Sequence, residues 1–228
     1  MRRFPVMLFA AGFGTRMGAL TQTIPKPLIS IAGRPLLDHA LDLCCADIVS
    51  HKVINLHYLG HQIARHLAGR DVALAYEDPI LETGGGLRAA LPLLGDGPVM
   101  TLNTDAVWTG QNPLAELSAA WDDTRMDGLL LLAPLRRALG HTGTGDFLMN
   151  ASGQINRANG APGTVYLGAQ ILRTDQLAEV PERVFSLNLL WDQMIAKGRA
   201  FGLIHKGGWC DVGQPSSIAL AEGMLNDK

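Results

Sequence analysis

Aromatic residues make up only 6% of this 228-residue sequence, and charged residues only 18%. The charges nearly cancel: 19 Lys+Arg against 21 Asp+Glu leave a formal net charge of −2. A chain so close to neutral lacks the basic surface with which proteins hold nucleic acid. It also lacks the profile of a disordered chain, because 47% of its residues are apolar. No apolar run approaches the ~18 residues that a membrane-spanning helix needs. The longest, around 129–134, reads as a buried strand. Residues 1–16 place two arginines before an apolar segment, but 6–11 is too short for the core of a signal peptide. Cysteines are only three: Cys44, Cys45 and Cys210. The adjacent pair has neither metal-ligand spacing nor easy disulfide geometry. Reduced thiols in a cytoplasmic protein, with no nucleic acid and no membrane as partner, are the expectation.

Glycine is what the sequence has in excess: 26 residues, about 11% against a usual ~7%. Around those glycines, apolar runs with strand and helix spacing alternate. Strands are predicted at 6–10, 53–56, 72–76, 99–102 and 129–133, and helices at 36–48, 63–67, 85–94 and 114–121. This βαβα order predicts an α/β fold: a doubly wound, mostly parallel sheet with helices on both faces. The pattern loosens after residue 135, with a hairpin predicted around 147–155, strands at 165–172 and 201–204, and a helix at 187–196. Neither a repeat nor a Pro/Ser-rich linker interrupts the chain. One domain over 1–228 is therefore expected.

The chemistry begins after the first strand, at Ala10-Ala11-Gly12-Phe13-Gly14-Thr15-Arg16-Met17. Glycines there let backbone N–H groups approach a phosphate or a base. A Rossmann fingerprint would need glycine at Met17, and would run straight into a helix that Pro25 and Pro27 forbid. The second strand also ends without the Asp or Glu that would hold a ribose. No Gly-Lys-Ser/Thr follows, which removes a Walker loop. Lys26 stands between two prolines that restrict the backbone around it, so its ammonium is held by a stiff segment. Taken singly, the loop also fits a ligand-free turn, and Lys26 a surface lysine.

Taken together, Ala-Ala-Gly-x-Gly-Thr-Arg-Met, Pro25-Lys26-Pro27-Leu28 and Gly33-Arg34-Pro35-Leu36 resemble the signature of sugar-1-phosphate nucleotidylyltransferases. The resemblance continues through Leu81-Glu82-Thr83-Gly84-Gly85-Gly86 and Asn103-Thr104-Asp105, then Gly145-Asp146-Phe147 and Ala161-Pro162-Gly163-Thr164, and ends at Gly208-Trp209-Cys210-Asp211-Val212-Gly213. In a chain this short, the set is most similar to the bacterial N-acetylmuramate-1-phosphate uridylyltransferases of cell-wall recycling.

The resemblance implies a Rossmann-like three-layer nucleotidyltransferase sandwich, with a nucleotide-binding half (1–135) and a sugar-phosphate-binding half (136–228). It implies Mg²⁺ as cofactor, an NTP (UTP) and a sugar-1-phosphate as partners, and a monomer or homodimer. Arg16, Lys26, Asp105 and Asp211 would be catalytic, and Asp105 and Asp211 would hold the metal. Ala11, Gly12, Gly14, Thr15, Arg16, Lys26, Glu82, Thr83 and Gly84 would bind the nucleotide. Asn103, Asp146, Gly163 and Thr164 would bind the sugar. Asp105 and Asp211 each end an apolar run, where a parallel sheet opens its ligand crevice.

Two departures qualify the family pattern. Thr104 stands where glycine usually precedes the metal aspartate, so a side chain is expected to narrow the sugar or ribose side. The Glu-Lys-Pro motif of larger hexose-1-phosphate members is missing. Cytidylyl transfer to phosphocholine, guanylyl transfer to mannose-1-phosphate and a catalytically silent nucleotide-binding subunit are the rival readings. His57 and His61 lack the HExxH context of a metal pair, and Trp108 and Trp209 are candidates to wall the pocket.

Overall fold

Phe4, Val6 and Leu8 of the first strand enter one apolar cluster and Met7 enters another, and all four are fully buried. A strand covered on both faces is the centre of a three-layer fold. The computed structural model describes residues 2–227; Met1 and Lys228, the ends of the expected domain, lie outside the described residues. The first part of the chain contains β1 (Phe4–Phe9), β2 (Ser30–Ile31), β3 (Arg34–Pro35), α1 (Leu36–Leu43), β4 (Val49–Leu56), α2 (Gly60–His66), β5 (Ala73–Tyr76) and α3 (Glu82–Leu94). There follow β6 (Val99–Asn103), β7 (Ala106–Thr109), α4 (Pro113–Ala120), β8 (Gly128–Pro134), β9 (Ala138–Leu139), β10 (Phe147–Met149) and β11 (Ile155–Arg157). The chain closes with β12 (Thr164–Leu172), α5 (Asn188–Ala196), β13 (Ala200–Ile204), β14 (Gly208–Asp211) and α6 (Ser217–Asn226).

The main sheet runs β11-β10-β12-β6-β1-β4-β5, with β8 on β12 and β13 on β8. Pairing senses set β1, β4, β5, β6, β8, β10 and β13 in one direction and reverse β11 and β12. The doubly wound, mostly parallel sheet is thus present, with one reversed strand through its middle. Helices α1, α2 and α4 pack on one face through Leu37, Ala40, Ile63, Leu114 and Leu117. Helices α3 and α5 cover the other through Leu87, Ala90, Leu94, Leu190 and Met194. Both layers draw residues from before and after residue 135.

Several elements differ from expectation for physical reasons. Helix α1 stops at Leu43 rather than at residue 48, because the Ile48 carbonyl accepts the Phe4 N–H (2.8 Å) and begins the ladder with β1. Helix α3 starts at Glu82, so the three-glycine run lies inside it. Strands β7, β9 and β14, and helix α6, carry no alternation strong enough to read beforehand. They form a separate small sheet, β7-β14-β9, with α6 packed against it through Ala221.

Candidate active site

Strand order reverses at β1, whose neighbours β6 and β4 continue the chain in opposite directions. A ligand crevice is expected outside the carboxyl ends of such strands. Phe9 of β1 is in register with both Asn55 and Asn103, so these ends form one row. Above it opens a cleft of about 300 Å³, lined from β1 and its loop by Phe9–Gly12, Gly14, Thr15 and Arg16. Lys26, Pro27, Asn55 and Glu77 continue the lining, followed by Ile80, Glu82 and Thr83, and by Asn103, Thr104, Asp105 and Gly213.

The floor is electrostatic. Pro25 is extended and Pro27 sits in a single 3-10 turn, which carries Lys26 inward with its side chain 10% exposed. Its ammonium donates to Asp105 Oδ2 at 2.8 Å. Gly14, in the left-handed region (φ 64°), lets the glycine loop close on that lysine, since a Cβ there would stand 3.0 Å from Lys26 Cβ. Asp105 occupies the tight turn between β6 and β7.

Asp211 arrives by another route than the expected one. It ends β14 in the small sheet, antiparallel to β7, opposite Ala106. The Val212 N–H donates to the Asp105 carbonyl at 2.9 Å, which locks the two aspartate segments together. Burial and the like charge of Asp105 push the Asp211 carboxyl above the usual carboxylate range, and Lys26, Arg16 and His141 offset part of that. Gly213 then turns the chain past both groups: a Cβ there would stand 2.7 Å from Asp211 Oδ2 and 3.0 Å from Arg16 Nη1.

The other expected site residues divide. Ala11, Gly12, Thr15, Arg16, Glu82, Thr83 and Asn103 line the cleft. Glu82 does so with a left-handed backbone (φ 59°), a strained conformation for a non-glycine residue. Gly84 lies behind the wall: it is buried, and its N–H donates to the Phe185 carbonyl at 2.9 Å. Asp146, Gly163 and Thr164 are likewise outside the cleft lining. Asp146 Oδ2 accepts the Tyr166 N–H, the Gly163 N–H donates to Thr144 O, and the Thr164 hydroxyl donates to Phe147 O. Burial pushes the Tyr166 phenol far above its usual range, and the charges of Asp105 and Asp146 add to that.

Thr104 does not project as a bulky group into the cleft. Its hydroxyl donates to the Phe9 carbonyl at 2.7 Å, and the residue is 2% exposed. Trp108 and Trp209 pack on each other in the small sheet instead of walling the cleft. The His57 imidazole donates from Nδ1 to the Glu77 carbonyl and meets Phe13 edge-on.

Asn55 and Glu77 were not singled out from the sequence. Asn55 carries a local signal: an amide set among the buried apolar residues Val53, Ile54 and Leu56 needs a buried partner. Glu77 stands before Asp78-Pro79, where the local sequence suits a turn as well as a site residue. Its role depends on contacts more than twenty residues away.

Comparison with known proteins adds an independent line. Residues 6–147 match the MobA-like NTP transferase domain. The chain is 40% identical to the N-acetylmuramate alpha-1-phosphate uridylyltransferase of Caulobacter vibrioides, over 96% of each chain. It is 31% identical to the protein of that name from Neisseria meningitidis, again over 96% of each. Its fold is similar to HddC from Yersinia pseudotuberculosis complexed with GMP-PN, with a TM-score of 0.75 at 20% identity, covering 97% of this chain and 99% of that one. With the matched segment running from β1 through the first residue of β10, and so containing the glycine loop, Lys26 and Asp105, the chain belongs to the MobA-like NTP transferase family.

Proposed function

We propose that the protein is a Mg²⁺-dependent uridylyltransferase that joins UTP to N-acetylmuramate 1-phosphate, releasing pyrophosphate, in cytoplasmic cell-wall recycling. The observation that carries the chemistry is the floor of the cleft: one nearly buried lysine between two prolines, ion-paired to Asp105, with Asp211 held alongside. The choice of base and sugar is supported by the 40% identity to the Caulobacter vibrioides enzyme over nearly the whole of both chains.

A phosphate oxygen of the sugar phosphate attacks the α-phosphorus of the triphosphate. The new O–P bond forms as the α–β bridging P–O bond breaks, and its electron pair leaves on pyrophosphate. The nucleophile is already anionic, so no side chain has to remove a proton. The chain's task is alignment and charge neutralisation. Lys26 neutralises the reacting phosphoryl oxygens, and Arg16, beside Gly213, takes the β- and γ-phosphates. Backbone at Ala11, Gly12, Gly14 and Thr15 approaches the nucleotide on one side, and Glu82 and Thr83 on the other. Asn103 takes the sugar side of the cleft, and Asp146, whose carboxylate holds the Tyr166 N–H, acts with Gly84, Gly163 and Thr164 from behind these walls.

The donor set fits a magnesium ion. The backbone bond from Val212 N–H to the Asp105 carbonyl sets two carboxylate-bearing segments side by side, and Mg²⁺ takes one or two carboxylates with phosphate oxygens and waters completing its octahedron. Held by Asp105 and Asp211, it would supply Lewis-acid polarisation at the α-phosphate.

A panel of UTP, CTP, GTP and dTTP against N-acetylmuramate 1-phosphate, glucose 1-phosphate, mannose 1-phosphate and phosphocholine tests this, read by Mg²⁺-dependent pyrophosphate release. UTP with N-acetylmuramate 1-phosphate is expected to give the highest kcat/KM. A different best pair reassigns the substrate. Nucleotide binding without release in any pair makes the protein a silent nucleotide-binding subunit.

A further inference from the structure

Two buried polar side chains join the two walls of the cleft. Asn55, 4% exposed, accepts the Ala10 N–H on Oδ1 at 2.7 Å, at the root of the glycine loop. Its Nδ2 donates to Glu77 Oε1, also at 2.7 Å. Glu77, 6% exposed, accepts the Leu81 N–H on Oε2 at 2.8 Å, one residue before helix α3 and its cleft-lining Glu82 and Thr83. Because Ala10 offers only a donor, the Asn55 amide oxygen must face it and the NH₂ must face Glu77. Both Glu77 oxygens therefore meet donors. Gly86 keeps the pair in place, since a Cβ there would stand 2.4 Å from Glu77 Oε1.

We propose that Asn55 and Glu77 are a positioning pair that sets the separation of the two nucleotide walls, and so governs affinity for the nucleoside triphosphate without touching the reacting atoms. The proposal rests on the reading that this cleft holds the nucleotide. Three hydrogen bonds in series, all shielded from water, fix the root of the glycine loop relative to the start of α3. Losing one leaves a buried donor unsatisfied and frees one wall from the other.

The donor–acceptor pattern makes the test specific. In Glu77→Gln the new NH₂ must face a donor, either Asn55 Nδ2 or the Leu81 N–H. Asn55→Asp alone sets a carboxylate against Glu77. Combined, the two substitutions restore every bond: the new carboxylate accepts from Ala10 and from the new amide, whose oxygen accepts from Leu81. Each variant is assayed for KM and kcat with UTP and N-acetylmuramate 1-phosphate, for binding of a non-hydrolysable UTP analogue by calorimetry, and for thermal unfolding.

Glu77→Gln is expected to raise KM for UTP about tenfold, with KM for the sugar phosphate unchanged. The double variant is expected to return within about threefold of wild type. Three results overturn the positioning role: a double variant as impaired as Glu77→Gln, a Glu77→Gln protein that loses thermal stability at unchanged KM for UTP, or a switch of nucleotide preference in that variant, which would mean that Glu77 reads the base. If a single variant does not fold, the double variant decides alone. Wild-type protein that binds no UTP analogue would instead sink the nucleotide-cleft reading, and the pair's role with it.

Discussion

At the scale of single residues, the glycines sort into two kinds that look alike in a sequence. Gly14 and Gly213 stand where backbone passes close to Lys26, or to Asp211 and Arg16, and any Cβ would press on the chemistry. The run Gly84–Gly85–Gly86 resembled a ligand loop but is a packing device. A Cβ on these residues would meet the Phe185 ring at 2.4 Å, the Arg183 carbonyl at 2.5 Å and Glu77 Oε1 at 2.4 Å, respectively. Gly84→Ala is therefore expected to destabilise the fold. Overpacking costs about 1–3 kcal/mol, while the gain in helix propensity returns at most ~1 kcal/mol. The urea midpoint should fall at unchanged slope. A midpoint equal to wild type would put Gly84 back among residues that need only to approach a ligand. Nothing in a GGG triplet distinguishes the two cases, because the difference lies in Phe185 and Arg183, a hundred residues further on.

At the scale of elements, what could be read beforehand was whatever carries its cause locally. Strand β1, the second half of β4 and the first part of β6 are mostly apolar runs, and the Pro-Lys-Pro turn announces its own stiffness. The small sheet was illegible because its cause is remote: β14 exists by pairing with β7 and β9, and only that pairing carries Asp211 to Asp105. The joint between α1 and α2 is similar. Asp38 on α1 accepts from His66 of α2 at 2.9 Å and from Arg70 at 2.7 Å. Burial alone would raise the Asp38 carboxyl, yet the hydrogen bonds and the charges of His66 and Arg70 together outweigh it and hold it below the usual carboxylate range. An acid whose folded value is depressed contributes stability above its unfolded value, about 3.9, and loses it as pH falls through the folded one. Asp38→Asn should thus cost about 1 kcal/mol near neutral pH. The gap to wild type should close as acid titrates the native carboxyl. Urea titrations at pH 7 and at about pH 3 check this, and a gap that persists undiminished into acid would assign the loss to packing instead of charge.

At the scale of the whole molecule, the fold places Asp211 where burial and the charge of Asp105 disfavour its ionised form. The main sheet supplies Asp105 and Lys26, the small sheet supplies Asp211, and the Val212–Asp105 backbone bond prevents them from relaxing apart. Partly buried like charges weaken the empty fold even with Lys26 and Arg16 nearby, a cost that proteins accept at functional sites. Asp211 therefore destabilises the ligand-free protein at neutral pH, since its raised folded value means that folding disfavours the ionised form. Asp211→Asn is expected to raise the thermal midpoint of the protein in chelator. The same substitution should abolish Mg²⁺-dependent pyrophosphate release and remove the added stabilisation that Mg²⁺ and UTP give to wild type. Asp105→Asn should also abolish turnover, but it strips Lys26 of its partner, so its thermal midpoint in chelator should not gain as Asp211→Asn does. Thermal melts of the three proteins, with chelator and with Mg²⁺ plus UTP, separate the roles. An Asp211→Asn protein that keeps its Mg²⁺-dependent turnover would remove Asp211 from the metal site, whatever its stability.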